Sequence, residues 1–166
     1  VAKHGNRAAS SKAGAADTLE TLGLDMDRLG SNAEESLREL GICFLFASNH
    51  HPAMKRIQPI RKAIGKRTIF NLIGPLANPA GVTRQLIGIA RPDYVEIYGR
   101  ALASLGAEAA MIVSGEEGLD ELSGAGMSRI FKIGDLPVGE TVEPGEAGLP
   151  TAATQAIRGG DATFNA

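Results

Sequence analysis

An α/β fold with a mostly parallel sheet flanked by helices is what this 166-residue sequence predicts, on three observations. A continuous apolar run of strand length stands at residues 42–47, the pattern of a strand buried on both faces, and further strands are expected at 85–90 and 109–114. Amphipathic stretches of helical period lie between them, so strands and helices alternate as in βαβ units. Polar clusters follow residues 3, 47 and 114, where strands end. In such sheets ligands bind beyond the carboxyl ends of strands.

Residues 1–6 read as a strand end running into a polar turn. Ser10 and Ser11 precede a helix over about 12–22, whose apolar stripe is Ala15, Ala16, Leu19 and Leu22 and which Gly23 ends. Ser31, Asn32, Ala33 and Glu34 form a capping-box start for a short helix through Leu40, closed by Gly41. The strand at 42–47 meets a polar break at residues 48–51. Residues 52–64 follow as helix, with Pro59 set to kink or split it. Residues 68–80 begin apolar and become a loop punctuated by Gly and Pro. Beyond the strand at 85–90, residues 93–105 form an amphipathic helix through Tyr94, Val95, Tyr98, Ala101, Leu102 and Leu105. The strand at 109–114 enters an acidic loop with Glu116, Glu117, Asp120 and Glu121. Shorter strands are expected at 128–133 and 139–143, and the last 20 residues are turn-rich.

A content of 43% hydrophobic and 22% charged residues belongs to a folded globular chain and excludes a disordered one. The 21 Gly, nearly twice the usual share, point to many turns or close backbone approaches. One Cys excludes a disulfide framework and a cysteine-rich zinc site, and suits a reducing cytosol. No apolar run approaches the roughly 20 residues of a membrane span and no signal peptide is visible, so a cytoplasmic protein is expected. Residues 1–92 carry 13 Lys and Arg against 7 Asp and Glu, whereas residues 93–166 carry 4 against 12. The basic half is densest at Lys55, Arg56, Arg61, Lys62, Lys66 and Arg67. Such a field can hold a phosphate or pyrophosphate or touch nucleic acid, and it also suits a solvated helix face. A pI near 5.9 argues against a dedicated nucleic-acid binder.

Three clusters could carry chemistry. Lys3, His4, Gly5, Asn6 and Arg7 with Ser10 and Ser11 offer a cation, an amide, hydroxyls and helix N-terminal amides, which together suit phosphate oxygens. A helix cap beside ordinary surface charges is the alternative. His50 and His51 are adjacent, and neighbouring side chains of an extended segment face opposite ways, so both rarely ligate one metal. One of them lining a pocket, or a helix-entry His without function, are the readings left. Asp120 and Glu121, supported by Glu116 and Glu117, could hold Mg2+, which takes a few carboxylates together with water and phosphate oxygens. An acidic surface turn is the alternative. Gly74-Pro75 could wall a pocket for a flat ligand or simply form a packed turn.

In this order the segments resemble the anthranilate phosphoribosyltransferase family. The matching stretches are Lys3-His4-Gly5-Asn6-Arg7-Ala8 running to Ala16-Asp17, and Asn49-His50-His51-Pro52-Ala53-Met54. Arg67-Thr68-Ile69-Phe70-Asn71-Leu72-Ile73-Gly74-Pro75-Leu76-Ala77-Asn78-Pro79-Ala80 and Gly118-Leu119-Asp120-Glu121-Leu122-Ser123 complete the match. The first stretch is shared with pyrimidine nucleoside phosphorylases, and the second and third are more specific. The resemblance implies a nucleoside phosphorylase/phosphoribosyltransferase-like fold. It also implies transfer of the 5-phosphoribosyl group from phosphoribosyl pyrophosphate to the amine of anthranilate, with Mg2+ assisting pyrophosphate departure. It assigns Lys3, Asn6, Ser10 and Ser11 to phosphoribosyl pyrophosphate. His4, Asn6, His51, Arg61, Gly74 and Pro75 fall to anthranilate, and Asp120 and Glu121 to Mg2+. The Arg61 fork suits a carboxylate. No catalytic residue is assigned, because the weakly basic amine needs no strong general base.

The family's Gly-Thr-Gly-Gly-Asp pyrophosphate loop is missing from these residues, as is its N-terminal helical segment, which helps form the dimer interface. Position 15 is Ala where relatives often have Ser. Residues 1–166 are therefore expected to be part of an α/β catalytic domain, incomplete at both ends and inactive by itself, from a homodimeric enzyme acting in tryptophan biosynthesis. The small molecules anthranilate and phosphoribosyl pyrophosphate are the expected partners, with neither nucleic acid nor membrane. A pyrimidine nucleoside phosphorylase, or a non-catalytic nucleic-acid-binding relative using the basic stretch, are the other readings.

Overall fold

The computed structural model describes residues 1–8, 12–66 and 68–166, without the side chains of residues 55, 58, 61 and 62. Ser10, Ser11 and Arg67 lie outside the described residues. The chain forms two units: Val1–Gly81 with Gly159–Ala166, and Val82–Arg158.

In the first unit, strand β1 (Ala2–Gly5) pairs in parallel with β2 (Cys43–Phe46), Ala2 facing Cys43 and Gly5 facing Phe46. Helices α1 (Ala15–Thr21), α2 (Met26–Ser31) and α3 (Ala33–Leu40) make the connection that a parallel pair requires. All four residues of β2 are buried, as its continuous apolar run demands. Its phenylalanines Phe44 and Phe46 pack with Ala16 of α1 and Met26 of α2, and with the half-buried Ala15, Leu19 and Leu29. Burying each large side chain of this cluster contributes about 1.5–3 kcal/mol.

Four local expectations change. Helix α1 begins at Ala15, not near residue 12, because the Asp17 carboxylate accepts from the amides of Gly14 and Ala8 at 2.8 Å each and sets the helix start there. Leu22, expected on the apolar stripe, lies beyond its last turn and is exposed. Helix α2 was not expected: Asp25 caps it, accepting from the amides of Asp27 and Arg28, and Met26 anchors it in the core. Ser31 closes α2, its hydroxyl donating to the carbonyls of Asp27 and Arg28, so Asn32 and not Ser31 precedes α3. Gly41 ends α3 with φ 73°, a left-handed conformation that favours Gly.

The polar break after β2 is a turn of helix, α4 (Ala47–His50), and α5 (Pro52–Ile64) follows. His51 separates them at φ −123°, ψ 70°, since a residue before proline is kept out of the helical region, whereas Pro52 suits a first helical position. Pro59 does not split α5, which continues through it to Ile64. The Gly- and Pro-punctuated stretch forms two short 3₁₀ turns, Ile69–Asn71 and Gly74–Ala77. Asn78 fastens the second turn to β1 by donating from Nδ2 to the Ala2 carbonyl at 3.2 Å. Helix α7 (Ala162–Asn165), capped by Asp161, packs on α1.

The second unit is a four-stranded sheet of order β3 (Arg84–Gly88), β4 (Ala109–Gly115), β5 (Ser128–Ile133) and β6 (Thr141–Val142). Strands β3 and β4 run parallel, connected through α6 (Val95–Ser104), while β4–β5 and β5–β6 are antiparallel. The sheet is thus mixed. Residues 116–127 return the chain without a helix, the kind of connection that antiparallel strands take and parallel ones do not. Helix α6 packs on β4 and β5, with Gly99 set against the Phe131 ring; Val95, Tyr98, Gly99 and Leu102 of the helix are buried, as are Ile112, Val113 and Ile130 of the strands. Among the described residues no helix is long and apolar enough to cross a membrane.

Candidate functional site

Alternation along β1 sends Lys3 and His4 to opposite sides; Lys3 is exposed and His4 half-buried. At the junction of α4 and α5, 47 residues later in sequence, His51 Nε2 lies 3.1 Å from His4 Nε2. The two rings meet edge to face, centroids 5.0 Å apart at 67°. One nitrogen must donate and the other accept, so at least one ring is neutral. Burial holds the His4 imidazole below its ordinary range, with the neighbouring charge of His51 and, more weakly, His50 acting in the same sense. A backbone hydrogen bond at Gly74 opposes them and places that turn beside His4. Pro75 is the next residue of the same 3₁₀ turn.

Beyond β1 the chain turns sharply. Asn6 is exposed, its Oδ1 accepting from the Arg7 amide at 2.8 Å. Asp17 binds the Ala8 amide and lies 3.5 Å from the Arg7 guanidinium, and these partners hold its carboxyl below the usual carboxylate range, the Ala8 and Gly14 amides foremost. Arg7 also forks onto Glu20 and stands 5.4 Å over the Phe46 ring. The loop packs so closely that a Cβ on Gly14 would fall 2.5 Å from the Ala8 nitrogen. Arg7 is therefore occupied with holding the loop, whereas Lys3 is exposed on β1.

The acidic loop belongs to the second unit and starts where β4 ends, beyond its carboxyl end. Asp120 and Glu121 are exposed. A Cβ on Gly88, the last residue of β3, would fall 1.7 Å from the Asp120 carbonyl oxygen, so the loop rests directly on that glycine. Among the described residues no group of three or more His, Cys, Asp or Glu side chains could hold a metal by itself. Mg2+ does not require one: it takes one or two carboxylates and completes its octahedron with water and phosphate oxygens. Two adjacent exposed carboxylates fit that habit.

The structure brings His4, His51 and Gly74 together from three separate sequence stretches. Arg61 lies on α5, its side chain outside the described residues, as Ser10 and Ser11 are altogether. Sequence reasoning missed Asp17, Asn78 and Gly88, which touch no predicted ligand but hold the segments that carry the site. The signals were present for two of them: Asp17 stands three residues after the Gly14 cap, and Asn78-Pro79 is a turn pair.

The sequence pattern of the glycosyl transferase family, a/b domain, matches residues 1–166. An anthranilate phosphoribosyltransferase of Novosphingobium aromaticivorans is 64% identical over 167 aligned residues, covering 100% of this chain and 51% of that protein. The crystal structure of the anthranilate phosphoribosyltransferase of Thermus thermophilus superposes with a TM-score of 0.87 at 44% identity, over 99% of this chain and 49% of that one. The Saccharomyces cerevisiae enzyme in complex with PRPP and Mg superposes with a TM-score of 0.84 at 29% identity, over 99% of this chain and 45% of that one. The chain thus spans about half the length of the relatives it matches. It is a homologue of anthranilate phosphoribosyltransferases, and over its whole length it belongs to the glycosyl transferase family, in the a/b domain.

Proposed function

We propose that the polypeptide carrying these residues transfers the 5-phosphoribosyl group from phosphoribosyl pyrophosphate to anthranilate, giving N-(5-phosphoribosyl)anthranilate and pyrophosphate in tryptophan biosynthesis. The observation that carries this reading is the meeting of His4, His51 and Gly74 in a chain 64% identical to an anthranilate phosphoribosyltransferase. The anthranilate nitrogen bonds to ribose C1, the bond from C1 to the pyrophosphate oxygen breaks, and the amine gives up a proton. As the leaving group departs, positive charge develops on the ribose, so catalysis rests on neutralising pyrophosphate and placing the amine.

His4 and His51 with Gly74 and Pro75 form one wall for the flat acceptor, and the Arg61 fork takes its carboxylate. A neutral His4 imidazole suits that wall, because it can donate one hydrogen bond and accept another. Lys3, Asn6, Ser10 and Ser11 attend the phosphoribosyl pyrophosphate. Asp120 and Glu121 would hold Mg2+, whose chemistry there is to screen the pyrophosphate charge. Residues 1–166 form part of the catalytic domain, and the homodimeric state and cytoplasmic setting of the resembled family complete the reading.

Loss of anthranilate fluorescence on adding phosphoribosyl pyrophosphate and Mg2+ tests the activity. Turnover of thymidine or uridine with phosphate in place of that reaction would assign the protein to the nucleoside phosphorylases instead.

A further inference from the structure

The acidic loop holds four carboxylates between residues 116 and 121, and they do not have equal freedom. Glu116 is paired with Arg129 of β5 at 2.5 Å. Glu117 turns back over the loop: the Ser123 hydroxyl donates to its Oε1, and this bond foremost holds its carboxyl below the ordinary range. Room for the turn comes from Gly115, where a Cβ would fall 2.8 Å from Glu117 Oε2. Ser123 is buried and tied on its other sides, its hydroxyl accepting from the Ala125 amide at 2.9 Å. Its own amide donates at 2.7 Å to the hydroxyl of the fully buried Ser128 on β5. Between these fixed ends the Gly115 amide bonds the Leu119 carbonyl at 2.9 Å, and Gly118 turns at φ 85°. Asp120 then rests with its carbonyl on Gly88. Two of the four acids are spent on the loop's own structure, and Asp120 and Glu121 remain exposed at its tip.

We infer that Glu117 is a positioning residue and not a cation ligand: bonded to Ser123, it closes the 117–123 loop and thereby orients Asp120 and Glu121 for a divalent cation. The inference rests on the proposed role of Asp120 and Glu121. It separates Glu117 from its acidic neighbours by what its carboxylate must do, which is accept a hydrogen bond and not carry charge. A glutamine at 117 keeps the acceptor and loses the charge, whereas an alanine loses both.

The experiment is Mn2+ binding in the presence of phosphoribosyl pyrophosphate, read by electron paramagnetic resonance on the complete polypeptide and its Glu117→Ala, Glu117→Gln and Asp120→Asn variants. Glu117 is exposed, so these variants should fold, and far-ultraviolet circular dichroism checks that they do. Glu117→Ala should weaken Mn2+ binding about tenfold or more, the usual cost of losing a group that orients ligands, and Glu117→Gln should remain within about threefold of wild type. Equal damage from Glu117→Gln and Glu117→Ala would make Glu117 a ligand and overturn the inference. Wild-type binding by Glu117→Ala beside loss in Asp120→Asn would overturn the positioning role alone. Undiminished binding by Asp120→Asn would overturn the metal reading itself, and the positioning role with it.

Discussion

His51 Nε2 stands 3.1 Å from His4 Nε2, across 47 residues of sequence, and this contact ties the entry of α5 to β1. Two protonated rings could not share it, since neither would offer a lone pair. The depressed basicity of His4 follows from the same arrangement: burial first, then the neighbouring His51.

That depression fixes the sign of a pH effect on stability. Between the lowered folded value of His4 and its unfolded value near 6.5, the unfolded chain binds more protons, so stability rises with pH through that window. The contribution is present in full above the unfolded value and is lost as pH falls toward the folded one. Thermal unfolding should show Tm falling as pH drops from 7.5 to 5, and a His4→Gln variant should flatten that part of the profile. An unchanged slope in the variant would assign the dependence to other groups.

Asp17 should matter more than its place outside the predicted site suggests. Its carboxylate serves two backbone amides, those of Ala8 and Gly14, and so joins the loop after β1 to the start of α1. Asp17→Ala should lower Tm by roughly 2–6 °C, the shift that losing a helix cap brings in a chain of this size. If Lys3 and Asn6 attend the phosphoribosyl pyrophosphate, the same variant should raise the KM for that substrate more than the KM for anthranilate. Because the folded carboxyl is held below its ordinary range, its stabilisation is present above about pH 4 and is lost as pH falls through the folded value.

Gly99 offers a test of the second unit that is independent of ligand chemistry. A Cβ there would fall 2.1 Å from Phe131 Cδ1, because α6 lies directly against the β5 ring. Gly99→Ala should destabilise by roughly 1–3 kcal/mol through overpacking, measured by urea unfolding. A paired Phe131→Leu change should recover part of the loss by yielding space, and a double-mutant cycle reads the coupling.

The two ligand readings separate by kinetics. His51→Ala and Arg61→Lys should each raise the anthranilate KM while leaving the KM for phosphoribosyl pyrophosphate near wild type, Arg61→Lys because an ammonium cannot reproduce a two-pronged bond to a carboxylate. Asp120→Asn should raise the Mg2+ concentration needed for half-maximal rate without moving the anthranilate KM. A common fall in kcat with no KM change in any variant would remove these residues from substrate contact.

Much of this was legible from residue order because it is local. The four buried residues of β2 declare themselves as an unbroken apolar run, and β5 at Ser128–Ile133 lies where its pattern put it. Helix α2 could have been read from Asp25 preceding Met26 and Leu29, a cap followed by two apolar residues three apart. The direction of β5 and β6 could not, since periodicity within a strand says nothing of which way its neighbour runs. Nor could the pairing of His4 with His51, or the seat of Asp120 on Gly88, because contacts at such separation exist only once the intervening helices have packed. Residue order by itself determined the alternation of strands and helices, the family resemblance and the identity of the candidate ligands. Only the tertiary structure decided which of the loop's four carboxylates are engaged by partners among the described residues. A carboxylate's role depends on whether an arginine or a serine hydroxyl reaches it first, and Arg129 and Ser123 reach Glu116 and Glu117 through the antiparallel return of β5.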